Sequence, residues 1–251
     1  MMPEKRSTRS LQNTMNRPQL FCFTYAGGKS DFFRIIENDL PDIELVAPEY
    51  PGHGTRHSEP LLYDFNELAD DVFRQFKENW NGGSYGLFGY SMGTITLIEV
   101  LRRIISSGIK LPDSVFLAAH EPRTKRELSG FEKNELDDKV KERTIAFGAV
   151  PDKLAESKLF WRIYLPLYRA DYTMIGRYRF EELDLRTDIP AAVFYSETDT
   201  PLSDMMKWKD IFTQKCSFHE FSGNHFFINE HHKEIAEMIC GMLLPDSEVL
   251  L

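Results

Sequence analysis

The sequence is short of cysteine and has no long apolar run, and each shortage excludes a class of protein. Its three cysteines are too few and too widely spaced for a disulfide framework or a metal-binding pair; they are Cys22, Cys216 and Cys240. We expect buried thiols in a reducing compartment. No apolar run approaches the roughly 20 residues that a helix needs to cross a bilayer. The sequence therefore predicts no membrane partner.

The sequence also has fewer basic than acidic residues. The 39 acidic residues outnumber the 30 basic ones, and the formal net charge is -9. Because nucleic-acid binding depends on clustered Lys and Arg that displace counterions from phosphates, we predict no nucleic-acid partner. Residues 1–18 are charged but lack the apolar stretch of a secretory signal. We expect them to form a flexible tail on a soluble, cytoplasmic protein.

The apolar residues that are present suffice for one large core. Of the 251 residues, 42% are hydrophobic, and a chain of this length and composition can fold as a single domain. No internal repeat divides it. We predict that domain over residues 19–251, and nothing in the sequence demands more than a monomer.

Short apolar runs alternate with longer segments of helical periodicity. This alternation is typical of an α/β fold in which helices flank a mainly parallel central sheet on both faces. Helices are predicted over residues 65–80 and 92–105. The predicted strands are residues 20–25, 43–48, 85–90, 114–118, 191–195 and 217–221.

One long segment departs from that alternation. Between about residues 121 and 188 the sequence is charged and helix-like, with no convincing strand, which predicts an inserted helical lid. Residues 158–180 within it are rich in aromatic residues and arginine. Two interpretations stay open: these aromatics cover an apolar ligand channel, or they pack the insertion onto the body of the domain.

Residues 89–93, Gly-Tyr-Ser-Met-Gly, match the pattern G-x-S-x-G. This pattern places a serine on a strained turn between a strand and a helix, where glycines avoid a steric clash between the two. A five-residue match is weak by itself, and an ordinary helix N-cap serine is the alternative. The predicted strand before it and helix after it supply the required context. We therefore predict Ser91 as a nucleophile.

A serine hydroxyl needs a base to remove its proton and a carboxylate to orient that base. In α/β-hydrolases both follow the serine in the chain, first the carboxylate and then the histidine, each after a later strand. Asp199 follows the predicted strand 191–195, and His225 follows 217–221. We predict that both meet Ser91 at the carboxyl ends of the strands, where open α/β sheets build their sites.

Other residues compete for these two roles. Glu197 and Asp204 are rivals of Asp199, which we favour for its place in the loop after the strand; a solvated acid is the structural alternative. The remaining histidines fit the chain order or the loop position less well than His225. They are His53, His57, His120, His219, His231 and His232.

Acyl transfer also needs donors for the negative charge that develops on the carbonyl oxygen. In this architecture one donor is the N–H after the nucleophile, here that of Met92, and the second comes from the loop after an early strand. Residues 23–28, Phe-Thr-Tyr-Ala-Gly-Gly, form that loop, and we predict the Ala26 N–H as the second donor. A plain Gly-Gly turn is the alternative.

Together these motifs resemble those of a known family, the type II thioesterases. The similar stretches are, in order, FTYAGG (23–28), PEYPGHGTR (48–56), GYSMG (89–93), RADYTMIGRY (169–178), SETD (196–199) and FSGNHFFI (221–228). Members of this family are stand-alone α/β-hydrolases that serve nonribosomal peptide and polyketide synthases. The similarity runs from about residue 20 to residue 243, and the joint pattern is far more specific than any single motif.

The chain departs from the family pattern at four positions. The family commonly has proline at the position of Thr24 and a basic or polar residue at that of His53. It commonly has glycine where this chain has Ser196 and Asn224. These differences leave the predicted triad intact and concern the shape of the pocket mouth.

The resemblance implies a substrate class and a partner. The substrate is an acyl group held as a thioester on the phosphopantetheine arm of an acyl- or peptidyl-carrier protein. Ser91 would attack the thioester with His225 as base, and water activated by His225 would cleave the acyl-serine ester. The implied role is removal of misprimed or stalled acyl groups, or product release. No metal or organic cofactor is required of the enzyme.

Carrier proteins of this type are generally acidic, and so is this chain. Docking therefore needs a local basic patch. We hypothesise that arginines of the insertion supply it, with a solvated helical face that forms internal ion pairs as the alternative. The four arginines are Arg162, Arg169, Arg177 and Arg179.

Two other functions are compatible with the same scaffold. A carboxylesterase or lipase-like hydrolase of small free esters would use the same triad, although the HGGG-type loop of many such enzymes is absent from this sequence. A non-catalytic binding module could also keep the fold. It would need no nucleophile, so the intact set of Ser91, Asp199 and His225 argues against it.

Overall fold

The computed structural model describes residues 17–122 and 133–244, and within them six parallel strands form one sheet. The order across the sheet is β2-β1-β3-β4-β5-β6. The strands are β1 (Gln19–Phe23), β2 (Glu44–Val46), β3 (Tyr85–Tyr90), β4 (Ser114–Ala118), β5 (Ala191–Tyr195) and β6 (Cys216–Glu220). The predicted α/β fold with a mainly parallel sheet is confirmed.

Each connection between consecutive strands contains at least one helix. The helices of the described residues are α1 (Arg34–Glu37), α2 (Phe65–Asn79), α3 (Met92–Ser107), α4 (Lys133–Ala146), α5 (Asp152–Ala155), α6 (Lys158–Arg177), α7 (Leu202–Met205) and α8 (Ile228–Leu243). The two predicted helices correspond to α2 and α3. The first begins where the Asp64 side chain accepts hydrogen bonds from two free backbone N–H groups, those of Asn66 and Glu67.

Each central strand contributes side chains to two apolar cores, one on each face of the sheet. In β4, Val115 and Leu117 belong to the core that α2 and α3 cover, whereas Phe116 and Ala118 belong to the core that α8 covers. This alternation follows from the two-residue period of a strand. Burial on both faces explains why the strands read as continuous apolar runs.

The predicted bounds were accurate for three neighbouring strands and less so for the other three. The bounds of β3, β4 and β5 agree with the predicted ones. β1 and β2 end two residues earlier than predicted, and β6 is shifted by one residue toward the N-terminus. The shift of β6 follows from its pairing with β5, in which Ala191 is opposite Cys216.

The described residues between β4 and β5 form α4, α5, α6 and a 3-10 turn, Phe180–Glu182, with no strand among them. We call these residues, 133–188, the helical insertion. Trp161, Tyr168 and Tyr172 on α6 are buried, which supports packing onto the body, yet Tyr172 also lines a cavity above the sheet. Packing of these aromatics onto the body is therefore observed, and their role in covering an apolar ligand channel stays a prediction.

The predicted tail, residues 1–18, lies outside the described residues except for its last two. Arg17 donates hydrogen bonds to the carbonyl oxygens of Pro41 and Ile43, so the described chain is fixed to the sheet from its first residue. In the part of the chain that the structure describes, no helix is long and apolar enough to span a membrane.

All three cysteines are free thiols, but only Cys22 is buried. Cys216 and Cys240 are half-buried, so the expectation of burial is wrong for these two. Burial raises the pKa of the Cys22 thiol well above its usual value. Cys22 is therefore unreactive at neutral pH.

The turn between β3 and α3 leaves no room for a side chain at Gly93. A Cβ there would lie 1.8 Å from the carbonyl oxygen of Phe23. Because backbone yields less readily than a flexible side chain, we expect Gly93→Ala to lower the free energy of unfolding by more than the ~1–3 kcal/mol of ordinary overpacking. Urea-induced unfolding monitored by circular dichroism measures this.

Gly241→Ala is the matched control. Gly241 is inside α8, and apart from its chain neighbours and the backbone of that helix, no atom of residues 17–122 and 133–244 lies within 4 Å of its Cβ position. The same substitution there is expected to raise the free energy of unfolding by about 0.4–1 kcal/mol, because alanine restricts the unfolded chain. Equal stability of Gly93→Ala and the unsubstituted protein would contradict the close contact between α3 and β1.

Candidate active site

Ser91 lies on the sharp turn between β3 and α3. Its backbone has φ 53° and ψ -120°, a conformation that costs a residue with a side chain about 1–3 kcal/mol. The Ser91 N–H donates to the carbonyl oxygen of Ala118 at 2.8 Å, which fixes the turn to β4. The strand–turn–helix context that the G-x-S-x-G pattern requires is therefore present.

His225 lies in the loop after β6, with its imidazole between Ser91 and Asp199. Nε2 is 2.9 Å from Ser91 Oγ, and Nδ1 is 3.0 and 2.9 Å from the two carboxylate oxygens of Asp199. Because an ionised carboxylate only accepts hydrogen bonds, Nδ1 carries the proton and Nε2 accepts from the Ser91 hydroxyl. This tautomer is the one that a general base for the serine needs.

Asp199 is the carboxylate that the structure places against His225. The side chains of Asp199 and His225 are only 6% and 7% exposed, so water screens their interaction weakly. Glu197 is exposed and accepts a hydrogen bond from the Leu202 N–H at 3.0 Å. Asp204 forms an ion pair with Lys207 at 2.7 Å. The structure thus separates Asp199 from its two rivals.

Hydroxyl groups tie the loop of Asp199 to the loop of His225. The Ser196 and Thr198 hydroxyls both donate to the carbonyl oxygen of Gly223, at 2.6 and 2.5 Å. From the other side, the Tyr90 hydroxyl donates to the carbonyl oxygen of His225 at 2.8 Å. Ser196, one of the departures from the family pattern, therefore has a structural use that glycine could not provide.

Phe147, which sequence reasoning missed, packs on the imidazole. It follows α4 and stacks on the His225 ring, with centroids 4.3 Å apart and an interplanar angle of 21°. The guanidinium of Arg143 lies 5.2 Å from the centroid of the same Phe147 ring. The stack restricts rotation of His225. No local signal in the sequence points to Phe147, because the contact joins two distant parts of the chain.

The backbone amides of Ala26 and Met92 lie at neighbouring strand ends. β1 and β3 pair with Phe23 opposite Gly89, so Ala26 and Met92, each three residues further on, lie at the same edge of the sheet. Met92 is the first residue of α3, and its N–H has no acceptor within the helix. Among the described residues none accepts a hydrogen bond from the Ala26 N–H. Their function as oxyanion donors stays a prediction.

A second histidine–carboxylate pair lies beside the Ala26 loop, and sequence reasoning did not find it. His53 Nε2 is 2.9 Å from Asp171 Oδ2, and the same oxygen accepts a hydrogen bond from the Gly27 N–H at 2.6 Å. Burial is the largest single effect on His53 and lowers its pKa. The charge of Asp171 and the hydrogen bonds to Asp171 and Pro51 act in the opposite sense, and together they raise the pKa of His53 above its usual value.

The triad opens into a cavity beneath the helical insertion. Ser91, Asp199 and His225 form one side of it. The lining residues from the insertion are Arg143, Phe147, Tyr172, Ile175 and Gly176. One side of the cavity therefore carries the three triad residues, and the side formed by the insertion carries both polar and apolar side chains. Within residues 17–122 and 133–244, no cluster of His, Cys, Asp and Glu could hold a metal ion.

The four arginines that were hypothesised as a basic patch have different surroundings. Arg169 forms an ion pair with Asp137 on α4. Arg179 donates to the carbonyl oxygens of Gly176 and Tyr178, at 3.0 and 2.9 Å. Arg169 thus fits the alternative of an internal ion pair, and two of the four arginines, Arg162 and Arg177, are exposed.

Comparison with known proteins agrees with this geometry. A family model described as the thioesterase domain matches residues 18–243. Thioesterase PikA5 of Streptomyces venezuelae is 25% identical over 241 residues, which cover 92% of this chain and 85% of that protein. The medium-chain S-acyl fatty acid synthase thioesterase of Rattus norvegicus is 28% identical over 224 residues, 86% of this chain and 83% of that protein.

Solved structures give the same result. The type II thioesterase BorB from the borrelidin biosynthetic cluster superposes with a TM-score of 0.74 at 27% identity, over 90% of this chain and 92% of BorB. The family model spans nearly the whole described chain, and the resemblance found in the sequence motifs is confirmed. The chain belongs to the thioesterase domain family and has the α/β-hydrolase fold.

Proposed function

We propose that this thioesterase hydrolyses acyl thioesters on the phosphopantetheine arm of carrier proteins, through an acyl-serine intermediate on Ser91. The observation that carries the proposal is the continuous hydrogen-bonded series from Ser91 through His225 to Asp199, which opens into the cavity beneath the insertion. In this proposal the insertion acts as the lid of a single domain. The enzyme removes misprimed or stalled acyl groups, or releases a product.

The first half-reaction transfers the acyl group to the enzyme. Ser91 Oγ attacks the thioester carbon while His225 Nε2 takes the hydroxyl proton, and Asp199 stabilises the imidazolium that forms. The amides of Ala26 and Met92 hold the negative charge on the carbonyl oxygen; one such donor is worth about 3 kcal/mol. When the C–S bond breaks, His225 returns its proton to the departing thiolate.

The second half-reaction hydrolyses the acyl-serine ester. His225 removes a proton from a water molecule, which attacks the ester carbon and forms the same kind of charged intermediate. The C–O bond to Ser91 then breaks, and His225 returns the proton to Ser91 Oγ. The products are the free acid and the unmodified enzyme, so the cycle consumes only water and requires no cofactor.

The carrier is proposed from the family and its relatives. One of the relatives above is named for a fatty acid synthase, and BorB belongs to the borrelidin biosynthetic cluster. Nonribosomal peptide and polyketide synthases are the setting that the sequence motifs favour for this chain. The alternative, a hydrolase of small free esters, would use the same triad and differ only in its substrate preference.

Removal of the nucleophile or of its orienting carboxylate tests the chemistry. Ser91→Ala is expected to lower kcat by at least ~10³-fold, and Asp199→Asn by up to ~10⁴-fold because asparagine favours the wrong imidazole tautomer. The measurement is release of an acetyl group from a phosphopantetheinylated carrier protein, followed by intact mass.

Glu197→Gln is the control, because Glu197 is an exposed acid in the same loop and contacts Leu202 instead of His225. It should retain turnover. Full activity of Ser91→Ala would exclude the mechanism. Equal turnover of carrier-bound thioester, free pantetheine thioester and free ester by the unsubstituted enzyme would favour the general esterase.

The carboxyl end of α6 is the part of the insertion that we propose to contact the carrier. Arg177 is exposed there and adjoins Gly176, which lines the cavity. Arg177→Glu is expected to raise KM for a carrier-bound thioester several-fold and to leave KM for the free pantetheine thioester unchanged. The difference should shrink at high salt, because salt screens exposed charges.

Arg162→Glu is the matched control for this docking prediction. Arg162 is an equally exposed arginine on α6, but it lies about 22 Å from Arg177 along the helix axis at 1.5 Å per residue. It should leave both KM values unchanged. Equal effects of Arg177→Glu on the carrier-bound and free substrates would contradict docking at this end of α6.

A further inference from the structure

A buried ion pair joins the insertion to the loop that carries the Ala26 amide. Asp171 lies on α6 and is fully buried, and His53 lies in the loop after β2 with only 3% of its surface exposed. The Asp171 Oδ2 atom contacts both His53 Nε2, at 2.9 Å, and the Gly27 N–H, at 2.6 Å. One carboxylate oxygen therefore connects three separate segments of the chain.

The hydrogen-bond partners of the His53 ring favour a ring with two protons. Nδ1 lies 3.0 Å from the carbonyl oxygen of Pro51, and Nε2 lies 2.9 Å from the Asp171 carboxylate. A carbonyl oxygen and an ionised carboxylate only accept hydrogen bonds, so both ring nitrogens donate when Asp171 is ionised. The ring is then an imidazolium, and the Asp171 carboxylate compensates its buried charge.

The other ionisable groups that face His53 agree with a charged ring. Glu49, which is buried in the same loop, adds a second negative charge that raises the pKa of His53. Tyr50 contacts the imidazole edge to face, with centroids 5.6 Å apart. Burial raises the pKa of Tyr50 far above its usual value, so this phenol stays neutral.

The insertion packs directly on Gly27. A Cβ at Gly27 would lie 2.1 Å from the Tyr168 ring, and Gly27 has φ +75°, a conformation that favours glycine. Tyr168 and Asp171 are three residues apart and share one face of α6. The Gly28 N–H donates to the carbonyl oxygen of Tyr25 at 2.9 Å within the loop, and the hydrogen bond from the Gly27 N–H to Asp171 ties this part of the loop to the insertion.

We propose that His53 and Asp171 are positioning residues for the oxyanion donor of this enzyme. The imidazolium holds the Asp171 carboxylate, the carboxylate holds the Gly27 amide, and the neighbouring Ala26 N–H is thereby directed at the reacting carbonyl oxygen. The inference rests on the proposed function only in taking Ser91 as the nucleophile and Ala26 as a donor. Neither His53 nor Asp171 touches the substrate.

Because His53 must be protonated in this arrangement, the rate is expected to depend on pH. The ion pair is complete below the pKa of His53 in the folded protein, and it weakens as pH rises through that pKa and the ring loses a proton. We therefore expect the rate to fall as pH rises through the raised pKa of His53.

The test measures two reactions of Ser91 from about pH 5 to pH 10. One is hydrolysis of a free acetyl-pantetheine thioester, and the other is the second-order rate of covalent labelling by a fluorophosphonate. His53→Gln, which keeps a donor but loses the charge, should lower kcat about 10- to 100-fold with KM within about 2-fold, because a misdirected donor weakens only the transition state. It should also abolish the fall in rate at high pH.

Three further variants separate positioning from simple loss of stability. His53→Arg carries its charge at every pH, so it should restore part of kcat and show no fall at high pH. Asp171→Asn keeps an acceptor for Gly27 but loses the charge, and should resemble His53→Gln. His232→Gln breaks another histidine–carboxylate pair, His232–Asp39 at 2.6 Å, which does not line the cavity of Ser91, and it should leave the rate unchanged.

Two results would overturn the proposal. One is a lowered melting temperature for His53→Gln together with an unchanged kcat and pH profile, which would give the pair a purely structural role. The other is an unchanged pH profile of the rate for Asp171→Asn. This variant tests the positioning role if the His53 variants do not fold. Failure of the proposed function can be distinguished from failure of this inference. An enzyme that hydrolyses no thioester but is labelled at Ser91 still shows whether His53 affects the labelling rate.

Discussion

The close contact between Gly93 and the carbonyl oxygen of Phe23 is the constraint on which the site depends. Because no side chain separates α3 from β1, the start of α3 can lie against the end of that strand. The strained backbone of Ser91 persists there because pairing of β3 with β1 and β4, and the hydrogen bond to Ala118, over-determine the turn. The nucleophile and the Ala26 loop come together for the same reason.

The sequence was most informative where structure is set by local rules. The bounds of β3, β4 and β5 could be predicted because each strand is an apolar run buried on both faces. Ser91, Asp199 and His225 could be predicted because strand ends and chain order specify their places. The ends of β1, β2 and β6 were less predictable, since pairing with a neighbouring strand, and not local composition, decides where a strand stops.

Residues of the insertion were harder to predict, because their partners are distant in the chain. Nothing near Phe147 indicates that its ring will stack on His225, and nothing near Asp171 indicates that it will meet His53 and Gly27. The arginines of α6 illustrate the same limit. Their abundance was evident from the sequence, whereas the pairing of Arg169 with Asp137 depends on how α4 and α6 pack.

The carbonyl oxygen of Gly223, which accepts two hydrogen bonds, has a consequence for the evolution of substrate preference. Since the Ser196 and Thr198 hydroxyls both bind it, the Asp199 and His225 loops form one rigid unit built from the strand ends. The insertion supplies the opposite wall of the cavity, and Phe147 is the contact with the base that its described residues show. Sequence changes in the segment between β4 and β5 can therefore alter which acyl groups the enzyme accepts. Proton transfer at Ser91 can stay unchanged during such evolution.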